Sequence, residues 1–116
     1  MLPSLDGLVF APAGRAEHGE VDADTSFAYR EEDGRVWASY RGGDIVHGHL
    51  VGTRVGDTLD FRYVHLNRQG DTSSGHCVSA LTRMADGRLR LEESWRWESR
   101  PGAGTSTVEE VLPPAR

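Results

Sequence analysis

Turn-forming clusters recur along this chain at spacings too short for helices: Glu31-Glu32-Asp33-Gly34, Gly42-Gly43-Asp44, Gly56-Asp57, Asn67-Arg68-Gln69-Gly70-Asp71 and Ala85-Asp86-Gly87. The runs between them alternate apolar with polar residues or are rich in aromatic and β-branched side chains, which is the pattern of an antiparallel meander. Strands are expected near Gly7–Ala11, Thr25–Arg30, Arg35–Arg41, Ile45–Val55, Thr58–Asn67, Thr72–Met84, Arg88–Trp97 and Gly104–Val111. No segment offers a helix long enough to cover an open sheet face. Hairpin-joined strands of this number are most economically closed into a barrel, which removes the unpaired edges. The expected fold is therefore all-β, a single eight-stranded antiparallel up-and-down barrel over residues 1–116, with a two-sheet sandwich as the alternative. Pro12 should end the first strand, residues 13–24 should form a longer first loop, and Pro113-Pro114-Ala115-Arg116 should fray.

Composition narrows the chemistry. A chain of 116 residues is the size of one domain. Its net charge of -5 argues against nucleic acid, whose binders need a basic surface to displace phosphate counterions. No apolar run reaches the ~18–20 residues of a membrane-spanning helix, so no membrane partner is expected. All 13 basic residues are Arg, which removes Schiff-base chemistry and a phosphate-loop lysine. Cys77 is the only cysteine, so neither an intrachain disulfide nor a Cys-rich zinc site is available. The start, Met1-Leu2-Pro3-Ser4-Leu5-Asp6, has no basic segment and no apolar core of a secretory signal, and a cytoplasmic location is expected.

Hairpin arithmetic assigns the inward faces. In the strand Arg88–Trp97 the odd positions are Leu89, Leu91, Glu93, Trp95 and Trp97, and they face inside. Leu59, Phe61 and Tyr63 share a face opposite Asp60 and Arg62, and His65 goes with them. A two-residue Gly56-Asp57 loop sets Leu50 opposite Tyr63 and Gly48 opposite His65, which turns Val46, Gly48, Leu50 and Gly52 inward and His47 and His49 outward. A four-residue turn at Glu31–Gly34 would pair Tyr29 with Val36 and Phe27 with Ala38, leaving Trp37 outside. Odd-with-odd pairing across the later loops aligns Tyr63, Cys77 and Trp95 in one row and Phe61, Ser79 and Glu93 in the next.

Several stretches resemble a known family: Val36-Trp37-Ala38-Ser39-Tyr40-Arg41-Gly42-Gly43-Asp44-Ile45, Gly48-His49-Leu50-Val51-Gly52, Leu59-Asp60-Phe61-Arg62-Tyr63-Val64-His65, Gly75-His76-Cys77-Val78-Ser79, the run Gly87–Trp97 and the run Gly104–Glu110. Together they are similar to small bacterial proteins of lipocalin-like (calycin-type) barrel character, often labelled N-acetylglutamate synthase. The resemblance implies a barrel and carries no agreed catalytic residues. The synthase label conflicts with the sequence. Acetyl transfer from coenzyme A normally uses a glycine-containing loop that opens a helix and holds the pyrophosphate on backbone N–H groups, and no strand–loop–helix unit of that kind is present.

Glu93 is the most informative residue. A carboxylate between Leu91 and Trp95 on an inward face must be paired, neutralised or in contact with a wet cavity. It is a candidate general acid/base or ligand anchor; the structural alternative is a buried bond to a tyrosine, Ser79 or an arginine. His65 is the second candidate, a titrating group on the same face, although a single inward histidine is more often a satisfied core residue. With Tyr29, Tyr40, Phe61, Tyr63, Cys77, Ser79 and Trp95, these residues form an interior of convergent polar groups among aromatics, the character of a small-molecule pocket. Cys77 is expected to be inert, because its apolar neighbours protect the thiol form. His47-Gly48-His49 is similar to the paired histidines of cupin-type metal strands, but both face outward and Thr53 and Arg54 stand where an acidic ligand would be needed, so no metal is expected. Gly48, Gly52 and Gly75 either permit barrel curvature or leave room for a ligand.

Three functions fit these residues. The leading expectation is a β-barrel binding a small, partly apolar organic ligand without a cofactor. The second is a cofactor-free acid/base enzyme, an isomerase, cyclase or dehydratase, with Glu93 or His65 moving the proton. The third is a filled barrel serving as a structural protein or homodimer through an outward Trp37 patch.

Overall fold

A computed structural model describes residues 2–13 and 20–112. The expected terminal segment Pro113–Arg116 and half of the expected first loop lie outside the described residues. The strands are β1 (Val9–Pro12), β2 (Ser26–Glu32), β3 (Arg35–Gly42), β4 (Ile45–Val55), β5 (Thr58–Asn67), β6 (Thr72–Arg83), β7 (Leu89–Trp97) and β8 (Ala103–Glu110). Each pairs antiparallel with the next, and β8 returns to pair with β1, so the sheet is a closed barrel in sequence order. Closure satisfies the backbone of both outer strands and rules out the sandwich. Pro12 is the last residue of β1, where a missing N–H is tolerated.

The β4–β5 hairpin has the expected register, with Leu50 opposite Tyr63, Gly48 opposite His65 and Val55 opposite Thr58. Three details depart from expectation. First, the β2–β3 turn contains two residues, not four. Asp33 and Gly34 have φ of 52° and 75°, the left-handed pair whose twist matches a two-residue hairpin. Tyr29 therefore lies opposite Ala38 and Phe27 opposite Tyr40.

Second, β5 and β6 slide by two residues relative to expectation: Phe61, Cys77 and Trp95 form one row, and Leu59, Ser79 and Glu93 the next, while Tyr63 faces Gly75. The cause is the β5–β6 loop. The Asn67 side chain accepts hydrogen bonds from the backbone N–H groups of Gln69 (3.0 Å) and Asp71 (2.9 Å), which centres the turn one residue earlier. A two-residue slide keeps every side chain on its expected face. Third, Val46 points outward and is 50% exposed, while Ile45 is buried, because the register shifts between Ile45 and His47. The extra residue of such a bulge reverses the alternation.

The strands enclose a core whose lower half is filled. Leu5, Phe10, Tyr29, Val36, Leu59, Leu89 and Leu91 are almost completely buried there. The N-terminal segment closes this end through Arg54, whose side chain is 4% exposed. Its guanidinium donates to the carbonyls of Leu2 (2.7 Å), Pro3 (2.8 Å) and Gly56 (2.8 Å), to Glu31 (3.0 Å) and to Asp57 (3.3 Å). Every donor of the group is used.

Higher in the barrel, glycines stand opposite large rings: Gly48 faces Tyr40, Gly52 faces Phe61, Gly75 faces Tyr63 and Gly104 faces Trp95. A Cβ at Gly48 would sit 2.5 Å from the Tyr40 ring and 2.9 Å from the Cβ of His65. These glycines make room for the protein's own aromatics. Eight strands leave little interior width, so a ring on one strand fits only where its neighbour has no side chain.

Candidate functional site

The upper half of the barrel is not filled. A cavity lies there with about 610 Å³ of empty space, its open mouth included. The centres of water-sized spheres can occupy about 60 Å³ of it, so it is narrow and suits a compact ligand. Phe27, Tyr40, Phe61, Tyr63, Trp95 and Trp97 give it aromatic walls, supplemented by Leu50 and Val108. Tyr63, Trp95 and Trp97 meet edge-on, with Tyr63 and Trp97 centroids 5.7 Å apart and Trp95 and Trp97 5.4 Å apart, while Phe27 and Tyr40 stack at 4.8 Å. Such packing holds the walls in place.

Two acidic centres border this space. Glu93 is the deeper one. It borders the cavity but is otherwise surrounded by protein, and loss of water pushes its pKa up to about 7, against a smaller opposing effect of its bond from Ser106. Ser106, directly opposite on β8, donates from Oγ to Oε1 at 2.9 Å. The expected partners were a tyrosine, Ser79 or an arginine; the observed partner is Ser106, which shares the inward face with Val108.

The second centre is Glu20, from the segment leading into β2. His65 stands between Tyr40 and this carboxylate, with Nδ1 2.9 Å from Tyr40 Oη and Nε2 2.8 Å from Glu20 Oε1. Asn67 donates to the other oxygen at 2.9 Å, and Ser73 and Arg100 approach the first at 3.3 and 3.5 Å. Burial pushes the Glu20 pKa up, but the bonds from Asn67 and His65 outweigh it and hold the group below its ordinary value. Arg100 also lies over the Trp97 ring, 4.3 Å from its centroid. His65 is therefore buried and engaged at both nitrogens.

The remaining candidates separate clearly. Tyr40, Phe61, Tyr63, Cys77 and Trp95 border the cavity together with Glu93 and His65. Tyr29 and Ser79 do not: both are buried below it, and Ser79 Oγ lies 3.5 Å from Cys77 Sγ. Burial, and then the charge of Glu93, push the Cys77 thiol far up, so it is a protonated wall group and no nucleophile at neutral pH. Burial likewise pushes Tyr40 and Tyr63 upward. His47 and His49 point outward with their Nε2 atoms 2.9 Å apart, and among the described residues no cluster of three metal-ligating side chains exists.

Sequence reasoning did not single out Glu20, Trp97 or Ser106. Trp97 and Ser106 carried the inward parity of their strands, a usable signal. Glu20 lies in a loop without periodicity, where no register reaches.

A family model described as avidin-like protein matches residues 3–111. No curated protein and no solved structure matched the chain.

Proposed function

The chain belongs to the avidin-like protein family, and on that premise we propose that it binds a small, partly apolar organic molecule in the upper half of the barrel. The observation that carries this reading is the aromatic-walled cavity with a carboxylate at its floor. The apolar rings supply contact area, and a few polar groups fix orientation, as in small-molecule sites generally. Glu93 and Ser106 are the inner anchors, and the Tyr40–His65–Glu20 chain is the outer one.

The three tryptophans provide the test. Trp95 and Trp97 border the cavity, whereas Trp37 is outside and 39% exposed. Titration of 15N-labelled protein with a panel of small ring compounds should move two of the three indole N–H signals and leave that of Trp37 in place. If no compound does so at millimolar concentration, the binding reading fails.

A second reading has one observation in its favour. A carboxyl with a pKa near 7 beside an apolar cavity is suited to accept and return a proton at neutral pH, as acid/base isomerisation or dehydration without a cofactor requires. Turnover of a bound compound, absent in Glu93→Gln, would establish it. We also propose that the outward pair Trp37 and Val51, adjacent across β3 and β4 and both exposed, supports a homodimer. Sedimentation equilibrium should show a dimer that Trp37→Glu dissociates; a monomeric wild type rejects it.

A further inference from the structure

Among the described residues, no positive charge pairs with the carboxylate at the cavity floor. Ser106 supplies the one hydrogen bond that Glu93 accepts among the described residues, and no ion pair reaches it. Among the described residues, the ionisable groups coupled to it are Tyr29 from β2, Tyr40 from β3, Tyr63 from β5 and Cys77 from β6. All are acids, and the charge of Glu93 makes each hold its proton more tightly. β4 contributes Leu50, and β8 contributes Ser106 and Val108.

The hydroxyls above are committed elsewhere. Tyr63 points at the Arg96 carbonyl at 3.4 Å, and Tyr40 is bonded to His65. The basic groups described at the mouth, His65 and Arg100, are engaged with Glu20. Among the described residues, the interior is therefore one uncompensated carboxylate below six aromatic rings.

Each component favours the same kind of ligand. A carboxylate withdrawn from water is stabilised most by a cation with N–H donors. Aromatic faces attract cations through the ring quadrupole, and more strongly when the cation is desolvated. The net charge of -5 draws cations toward the molecule and repels anions. An anionic ligand would place like charges together in an apolar space, and a neutral one would leave the carboxylate uncompensated.

Resting on the binding function proposed above, we infer that the ligand is a compact organic cation, an ammonium or amidinium on a small apolar body, with its N–H groups on Glu93 and its body against Phe61, Trp95 and Trp97. The narrow space limits that body to about the size of a single ring. Binding below neutral pH expels the proton from Glu93, so the complex forms as cation plus carboxylate.

The test uses three probes of one shape and different charge: benzylammonium, benzyl alcohol and benzoate. Titration calorimetry at neutral pH should show benzylammonium binding at least about tenfold more tightly than the alcohol, with benzoate weakest. Benzylammonium remains protonated across the range, so its affinity should weaken as pH falls from about 8 to about 5.5, approaching tenfold per unit once Glu93 is protonated. The alcohol, which sees the same changes at the His65–Glu20 mouth, should be nearly indifferent. Glu93→Gln should remove the preference for the cation; if that variant does not fold, the wild-type pH dependence and probe ranking decide alone. Equal or tighter binding of alcohol or benzoate, with moving Trp95 and Trp97 signals, overturns the cation while keeping the binding function. Failure of all three probes to bind or to move those signals overturns both.

Discussion

Glu93 is a single residue with consequences for the stability of the whole chain. Its pKa rises from 4.5 to about 7 on folding, so the folded state holds this proton more tightly than the unfolded state. The resulting stabilisation is fully present below about pH 4.5 and is lost as pH rises through about 7. The difference is on the order of 3–4 kcal/mol, since one pKa unit corresponds to about 1.4 kcal/mol. Glu93→Gln has no charge to desolvate. In urea melts without ligand it should therefore gain on the wild type by that order at about pH 8, and the gap should close at about pH 4. An equal gap at both values would mean that Glu93 ionises as freely as in water. His65 is bonded at both ring nitrogens, which makes it a positioning group within the Tyr40–His65–Glu20 chain.

At the scale of strands, the pairing of glycine with aromatic side chains shapes the cavity. Gly48→Ala would drive a methyl into Tyr40 and His65, and such overpacking should cost about 1–3 kcal/mol. Thermal melts should record the loss, and the 15N shifts of the His65 ring should report disruption of its bond to Tyr40. Most of this level was legible in advance. The strand order, the inward parity of β5, β6 and β7, and the β4–β5 register from Gly48 to Val55 all follow from turn residues and alternation. What was missed is governed by side chains inside turns. Asn67 gathering two backbone N–H groups, the left-handed Asp33 and the bulge at Val46 are local choices that a period-two pattern does not encode. At the glycines the sequence points only to curvature or ligand space, because a missing side chain does not announce what fills its place. Glu20 was missed for a similar reason: it joins the site by a contact with His65 across 45 residues, from a loop without periodicity.

For the whole molecule, Arg54 fastens the N-terminal segment to the lower rim. Arg54→Ala would leave Glu31, 15% exposed in its side chain, without its cation and the Leu2 and Pro3 carbonyls without their donor. Breaking a buried pair costs about 3–5 kcal/mol, and chemical denaturation should show a loss of that size. The barrel above would keep its strand ladder, so near-native far-ultraviolet dichroism in the folded baseline is expected along with the lower midpoint. A stopper at one end also has a kinetic meaning. With the lower half packed and its rim tied shut, entry and exit use the same doorway, framed by Glu20, Trp97 and Arg100. A change at Arg100, which stands at that doorway outside the cavity lining, acts on both crossings alike, altering how quickly a guest equilibrates more than its final occupancy.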